Sequence, residues 1–498
     1  MQDTHHDQSS AAGNLKLVVN LLRRVLMLMT VQPLPAPVQS PLNRWLRGYG
    51  LFAALSLLWL LSTFSAFWFD SILAWTAGLF YVAYDTWLIG YVAWKTRRLT
   101  AMPTGAATVP KTLSLGIIVP ARNEASVLAA TLNPVLEQMR ADDTLLMVDD
   151  GSIDNTRTLL KADYGIEHTG YGLAQSTRHT NLRVLFKPNS GKADSLNAGW
   201  QQVDKAVIVT IDADTRLSHG ALDAFRSAFA DEPQLAAACG ILHPIGNGGW
   251  QAKLFEVFQR FEYLRAFLAR AAWMKSDALL LVSGAFAGYR REVLEKIGGY
   301  DPKCLVEDYE LIHRLHQYAH EQGLDWRVRV LPTPQAETDA PADVLGFLRQ
   351  RRRWFAGFLQ TQFAYRQMHG NPRYGNVGRL MLPVKAVDTL QPVFGLTAFT
   401  LLVLFISSGA KVTPLVLAII GSKLMIDFSY HFWAIWRYHR WLGQRTPRNL
   451  WAPAVLATLA EPFSFQLLRH IGAAWGWWQI LTGRRDWAPQ RRSIPVSP

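Results

Sequence analysis

Cysteine is almost absent: Cys239 and Cys304 are the only two in 498 residues. No disulfide framework can be built from them, and the chain has neither a CxxC pair nor an HExxH run to nominate a zinc or redox centre. Both thiols are expected to be free, as in a reducing cytosol. The chain also lacks the full GxxxxGK[ST] spacing, which excludes a P-loop. No internal repeat or low-complexity tract is present. Acidic residues are the minority charge, 38 against 51 Lys and Arg, so the net charge is +13. A basic surplus suits nucleic acid, an acidic substrate or anionic lipid, and the position of the charges has to decide. What the chain does have in quantity is apolar surface: half of its residues are hydrophobic, 19 are Trp, and the mean hydropathy is +0.05. That excludes disorder and coiled coil. It also argues against a lone soluble domain, since the length alone suggests roughly two to four domain-sized units.

Residues 1–14 are polar. Residues 15–31 are apolar with Lys16, Arg23 and Arg24 embedded, as in a helix lying on a membrane surface. No small-residue cleavage site follows, so a secretory signal fits poorly. The stretch 51–68 is uncharged and 71–94 is interrupted only by Asp85, which predicts two spanning helices. Arg44 and Arg47 precede the pair, Lys95, Arg97 and Arg98 follow it, and only Asp70 lies between, so both ends are expected on the cytoplasmic side. Two further spans are expected at 389–410 and, past Asp427, at 414–436, with Arg437, Arg440, Arg445 and Arg448 returning the chain to the cytoplasm. Glu461, Pro462, Arg469 and His470 interrupt the last apolar region, 450–481. Zero or two crossings there give four or six spans in all. Arg clusters beside spans already account for the basic surplus, and nucleic acid is not expected as a partner.

Between 115 and 331 short apolar runs such as LGIIVP, TLLMVDD and AVIVTIDAD alternate with helix-like stretches. That pattern predicts an α/β domain with a parallel sheet covered on both faces and ligands at the carboxyl ends of its strands. Chemistry-bearing residues fall in order along it. VPARNE places Arg122, Asn123 and Glu124 on the loop after a strand; VDDGS ends the next strand with Asp149 and Asp150. These carboxylates can accept hydrogen bonds from a nucleobase or ribose, or serve as helix caps. Asn189-Ser190-Gly191-Lys192 can offer an amide and an ammonium to a phosphate, or Lys192 can be a solvated charge at a helix start. Asp212-Ala213-Asp214 closes an apolar strand with two carboxylates, a donor set for Mg²⁺ or Mn²⁺ that also coordinates a diphosphate. Like charges so close are costly without a cation. LVEDYEL carries Glu307 and Asp308, and QRRRW runs from Gln350 to Trp354. An Asp at a helix start can act as a general base; an Arg-Trp pair can stabilise a leaving phosphate and underlie a sugar.

The ordered set D(D)G, DxD, ED and QxxRW resembles the membrane-embedded glycosyltransferase family 2 enzymes: cellulose synthases, hyaluronan synthases and poly-N-acetylglucosamine synthases. The resemblance covers residues 115–354 and the flanking apolar pattern. It implies an α/β GT-A domain, Rossmann-like and cytoplasmic, inserted between transmembrane helices. It further implies a nucleotide-sugar donor bound by Arg122, Glu124, Asp149, Asp150, Lys192 and Asp212, a metal on Asp214 and Asp212, and a catalytic group formed by Asp308 as base with Glu307, Gln350, Arg353 and Trp354. Many relatives have Thr before Glu-Asp, where this chain has Val306, so a hydroxyl contact is lost. Ser283-Gly284-Ala285 stands where relatives place a loop that contacts the acceptor.

The organisation expected is a tail and interfacial helix at 1–50, two spans at 51–98, the GT-A domain at 110–340, interfacial helices with QxxRW at 341–378, further membrane and interfacial helices at 379–482, and a tail at 483–498. The function implied by the resemblance is an inverting, processive hexosyltransferase of a bacterial inner membrane. It polymerises a β-linked polysaccharide from UDP-glucose or UDP-N-acetylglucosamine, with membrane lipid around it and an envelope export partner beyond. Two alternatives remain: transfer of a single sugar to a lipid acceptor, and a non-catalytic membrane scaffold or transporter.

Overall fold

A computed structural model of the chain describes residues 76–100, 113–167, 170–407 and 414–481. The expected surface helix at 15–31, the expected span at 51–68 and the tail from 483 lie outside the described residues.

The apolar runs become strands β1 (Leu115–Ala121), β2 (Thr144–Asp150), β3 (Gly172–Gln175), β4 (Leu182–Lys187), β5 (Val207–Ile211), β6 (Thr215–Leu217), β7 (Leu235–Ile245), β8 (Phe286–Arg290) and β9 (Arg327–Asp339). They form one sheet in the order β3-β4-β2-β1-β5-β8-β7-β9-β6. Every residue of β5 is buried, and β1 and β2 are buried almost throughout, as strands covered on both faces require. The expectation of a parallel sheet holds for β4, β2, β1 and β5. Beyond them β7 and β9 also pair in parallel, but β8 runs antiparallel to both β5 and β7, and β3 and β6 are antiparallel edge strands. The sheet is therefore mixed. An apolar run specifies burial but not direction.

The helices, in chain order, are α1 (Thr76–Thr96), α2 (Leu128–Gln138), α3 (Thr156–Tyr164), α4 (Lys192–Gln201), α5 (Ala221–Asp231), α6 (Trp250–Met274), α7 (Arg291–Ile297), α8 (Glu307–Gln322), α9 (Val344–Ala364), α10 (Leu382–Ser407), α11 (Pro414–Trp441), α12 (Trp451–Ala460) and α13 (Phe465–Leu481). Helix α4 covers β1 and β2, while α6 covers β7 and β9 on one side and meets α1 and α11 on the other. Helix α6 thus joins the sheet to a helical layer made of α1 and α9–α13. A fully buried ion pair pins the amino end of β1: Arg226 of α5 gives both terminal nitrogens to Asp143 at 2.9 and 2.8 Å, and Asp143 also accepts from the Leu115 amide at 2.8 Å. All its oxygens are engaged, the condition under which a buried pair is tolerated.

The helical layer corrects the expected transmembrane pattern. Among the described residues no helix is long and apolar enough to cross a membrane. The expected spans at 71–94, 389–410 and 414–436 fold, where described, as parts of α1, α10 and α11, and 450–481 breaks at a 3-10 turn, Glu461–Phe463. The ionisable residues in these stretches tie helices to one another. Lys423 of α11 reaches Asp85 of α1 at 2.7 Å and also pairs with Asp427, and Arg265 of α6 pairs with Glu461.

Candidate active site

The loops after β1 and β2 are stitched together by backbone and side chain. Asn123 holds a positive φ of 58°; its amide donates to Ser152 Oγ at 2.9 Å and its Oδ1 accepts from the Ile153 amide at 2.8 Å. Asp149 is fully buried and accepts from the Ser152 amide at 3.0 Å and from Arg157 Nε at 3.3 Å. Asp150 accepts from Lys187 Nζ at 2.7 Å and from the amides of Ser190 and Gly191, each at 2.9 Å. Burial alone would raise its pKa, but the Lys187 ammonium and the two amides outweigh burial and hold the carboxyl below its ordinary value. Asp150 therefore shapes the turn that delivers Lys192 to the first position of α4.

Lys192 meets carboxylates from two elements: Asp212 Oδ1 at 2.5 Å, just beyond β5, and Glu307 Oε1 at 3.6 Å, at the start of α8. Burial would lower its basicity, yet the attraction of Asp212 and Glu307 raises it, so the ammonium stays charged. The carboxyl of Asp214 is pushed up to about 7 by burial, then by the charges of Asp212 and Asp339. A bound divalent cation would relieve the repulsion on Asp214. Among the described residues, though, no group of three or more His, Cys, Asp or Glu could hold a metal ion unaided. One or two carboxylates completed by a substrate diphosphate is the usual arrangement for Mg²⁺.

Asp308 opens α8 beside the loop that leads into β8. Its Oδ2 accepts from the Gly284 amide at 2.7 Å and its Oδ1 from the Tyr309 amide at 2.8 Å. Burial, then the neighbouring Glu307, raise its proton affinity above the usual carboxylate level, and the Gly284 amide opposes them. The Asp212 amide donates to the Ala285 carbonyl at 3.1 Å, so the DxD turn and the 283–285 loop are bonded directly.

Helix α9 begins on Asp343, whose side chain accepts from the Gly346 amide at 2.8 Å. It brings Gln350, Arg353 and Trp354 to the same place. The Arg351 guanidinium lies over the rings of Phe347 and Trp354, 4.5 and 4.4 Å from their centroids. It donates to Glu262 of α6 at 2.6 Å. Close approach sets the height of this helix: a Cβ on Gly357 would come 2.2 Å from Val306 Cγ2. Val306, the departure from the more common Thr, thus serves as the contact between α9 and the Glu307-Asp308 turn.

A cavity of about 800 Å³ joins these parts. Lys192, Asp212, Asp214, Glu307, Asp308, Gln350, Arg353 and Trp354 all line it, as do Ser283 and Ala285 of the expected acceptor loop. Arg122, Glu124, Asp149 and Asp150 do not; they lie at the carboxyl ends of β1 and β2, outside this cavity. The cavity continues into the helical layer, where Asp85, Asp388 and Asp427 line it together with apolar residues of α1 and α11. Sequence reasoning missed Glu262, Arg270 and Arg351 as lining residues. The first two sit in an ordinary amphipathic helical stretch, and Arg351 is one of three consecutive arginines, so no local signal separates them.

Comparison with known proteins agrees with this geometry. Residues 116–298 match the family model described as Glycosyl transferase family 2. The poly-beta-1,6-N-acetyl-D-glucosamine synthase of Staphylococcus epidermidis (strain ATCC 35984 / DSM 28319 / BCRC 17069 / CCUG 31568 / BM 3577 / RP62A) is 25% identical over 237 residues, 47% of this chain and 52% of that protein. That of Staphylococcus aureus (strain COL) is 26% identical over 238 residues with the same coverage. The chain spans about half the length of the curated relatives it matches. Among solved structures, the mannosyltransferase PcManGT from Pyrobaculum calidifontis, in complex with GDP-Man and Mn²⁺, shares the fold with a TM-score of 0.51 and 19% identity, over 78% of this chain and 99% of that one. Residues 116–298 thus form a domain that matches glycosyl transferase family 2, on a mixed-sheet fold of the GT-A kind.

Proposed function

We propose that the chain is an inverting, processive hexosyltransferase that elongates a β-linked polysaccharide from a nucleoside diphosphate sugar and passes the product through its helical layer. The observation that carries this reading is the single cavity shared by the DxD turn, the Glu307-Asp308 turn and the QRRRW helix, with a continuation away from the sheet. An acceptor hydroxyl gives its proton to Asp308 as its oxygen bonds to the anomeric carbon. The bond from that carbon to the diphosphate breaks, and the electron pair leaves with the diphosphate. Lys192 and Arg353 are positioned to neutralise that charge, and Trp354, its ring held by Arg351, offers a flat surface to a sugar. A bound Mg²⁺ or Mn²⁺ on Asp214 and Asp212 supplies Lewis-acid stabilisation of the leaving diphosphate. The Mn²⁺ of the mannosyltransferase PcManGT supports a divalent cation, and the names of the staphylococcal relatives support N-acetylglucosamine over glucose as the sugar.

A bacterial inner-membrane location, with the catalytic domain cytoplasmic, belongs to the same proposal. Large apolar side chains stand exposed on three elements of the helical layer: Leu417 and Met425 on α11, Leu456 and Leu459 on α12, and Phe463 after it. Such a patch marks a membrane or protein contact. Transfer of one sugar to a lipid is the second reading, favoured by the apolar walls of the cavity at α1 and α11. Purified full-length chain incubated with a panel of labelled nucleotide sugars and Mg²⁺ or Mn²⁺ tests the proposal. A high-molecular-weight product is expected. Release of only a monoglycosylated lipid overturns processivity, and no cation-dependent release of nucleoside diphosphate overturns the transferase reading in favour of a scaffold.

A further inference from the structure

Cationic side chains are numerous in the cavity, and most are spoken for. Lys192, Arg265, Arg351, Lys385, Lys423 and Arg469 each sit on a carboxylate, and Arg353 faces the proposed leaving group. Arg270 differs. It lines the cavity from α6, pairs with no carboxylate among the described residues, and has Nε and Nη1 buried with no hydrogen-bond partner. Its guanidinium lies 4.5 Å from the centroid of the buried Phe267 ring, one turn back on the same helix.

The surroundings say what sort of ligand suits it. One turn onward, Trp273 meets Tyr91 of α1 with centroids 4.7 Å apart. Leu88, Ile89 and Val92 of α1, with Leu279 and Leu281, wall the same stretch of cavity. Both Arg270 and Asp308 lie within electrostatic range of the buried Cys239. Arg270 is thus near the base, and the helix that carries it packs against α1 of the helical layer. A desolvated guanidinium without a counter-ion is costly. Placed at the junction of a polar chamber and an apolar one, it is matched by an anion on a hydrocarbon carrier, and a guanidinium fork suits phosphate.

We propose that Arg270 is an anion-binding residue of the acceptor site, and that its ligand is the phosphate of a lipid-borne acceptor whose hydrocarbon lies along α1. The phosphate is held while a sugar hydroxyl of the same molecule faces Asp308. This inference rests on the reading of the cavity as a site of glycosyl transfer, and the two can fail separately.

The test uses the full chain in neutral detergent and titrates farnesyl phosphate, farnesol, inorganic phosphate and UDP with Mn²⁺, followed by tryptophan fluorescence and calorimetry. Farnesyl phosphate is expected to bind about tenfold more tightly than farnesol. Arg270→Gln abolishes that preference, Arg270→Lys keeps part of it, and both bind UDP with Mn²⁺ as the wild type does. A preference that survives in Arg270→Gln overturns the proposal. So does weakened UDP binding with the preference intact, which moves Arg270 to the donor. Inorganic phosphate binding as tightly as farnesyl phosphate overturns the lipid carrier. Should Arg270→Gln fail to fold, Arg270→Lys decides: a reduced preference with unchanged UDP affinity supports the assignment, and an undiminished preference overturns it. Wild-type chain that binds no UDP with Mn²⁺ undermines the transferase reading, whatever the farnesyl phosphate titration shows.

Discussion

Two carboxyl groups, Asp308 and Asp214, have raised proton affinities, and the proposed chemistry turns on both at the scale of single residues. Asp308 is a better base than an ordinary carboxylate because burial and Glu307 disfavour its charge. As the proposed base it must be deprotonated to act, so kcat is expected to fall as pH drops through its raised pKa, with this acid limb at higher pH than a solvent-exposed Asp would give. Asp308→Asn is expected to lower kcat by about 10²- to 10⁴-fold while leaving UDP affinity unchanged; a pH–rate series and calorimetry on the variant check both. Asp214, at about 7 without metal, has the opposite consequence for the cation. The folded chain binds a proton there that the unfolded chain releases at lower pH. The metal-free fold therefore loses stability as pH rises from the ordinary Asp range towards about 7. Below about 7 protons compete with the cation, and Mn²⁺ affinity is expected to fall by up to tenfold per pH unit. Calorimetric titration of Mn²⁺ from pH 5 to pH 8 measures it, and a flat profile excludes Asp214 as a ligand. At this scale the sequence was most legible. Asp212, Asp214, Glu307 and Asp308 are short patterns at element ends, Trp354 closes the QRRRW run within α9, and the fold gathers them. Glu262 and Arg351 were not legible, since their bond joins residues 89 positions apart and leaves no trace in local spacing.

At the scale of elements, the site depends on how closely α9 can approach its neighbours. Gly357 touches Val306 on one side, and on another a Cβ at Gly476 of α13 would come 2.5 Å from the Arg352 carbonyl. Helix α9 is thus clamped between the turn that carries the base and the helix behind it. Gly357→Val is expected to push α9 outward and cost about 1–3 kcal/mol in stability, with a disproportionate loss of kcat because Arg353 and Trp354 move with the helix. Thermal unfolding alongside steady-state kinetics checks this, and unaltered kcat would separate α9 from the reaction. The strands were legible as elements because burial on both faces writes continuous apolar runs. Their directions were not, which is why the antiparallel course of β8 between β5 and β7 emerged only from the structure.

For the whole molecule, the helical layer is where sequence and structure part most clearly. Apolar stretches read as spanning helices contain Asp85, Lys423 and Asp427, and these charges bind α1 to α11. Exposed apolar side chains on α11, α12 and the turn beyond include Leu417, Met425, Leu456, Leu459 and Phe463. The proposed membrane contact predicts that the full chain floats with phospholipid vesicles in a density gradient. Leu456→Glu combined with Leu459→Glu is expected to reduce the floated fraction by more than half while UDP affinity is preserved; undiminished flotation would place the contact elsewhere.

The bond from the Asp212 amide to the Ala285 carbonyl makes the two halves of the reaction answer to each other. A ligand that shifts the Asp212 turn would pull through this bond on the strip of chain beside Asp308, so occupation of one side is expected to change the affinity of the other. If a first substrate tightens the grip on the second, the second must tighten the grip on the first by the same factor.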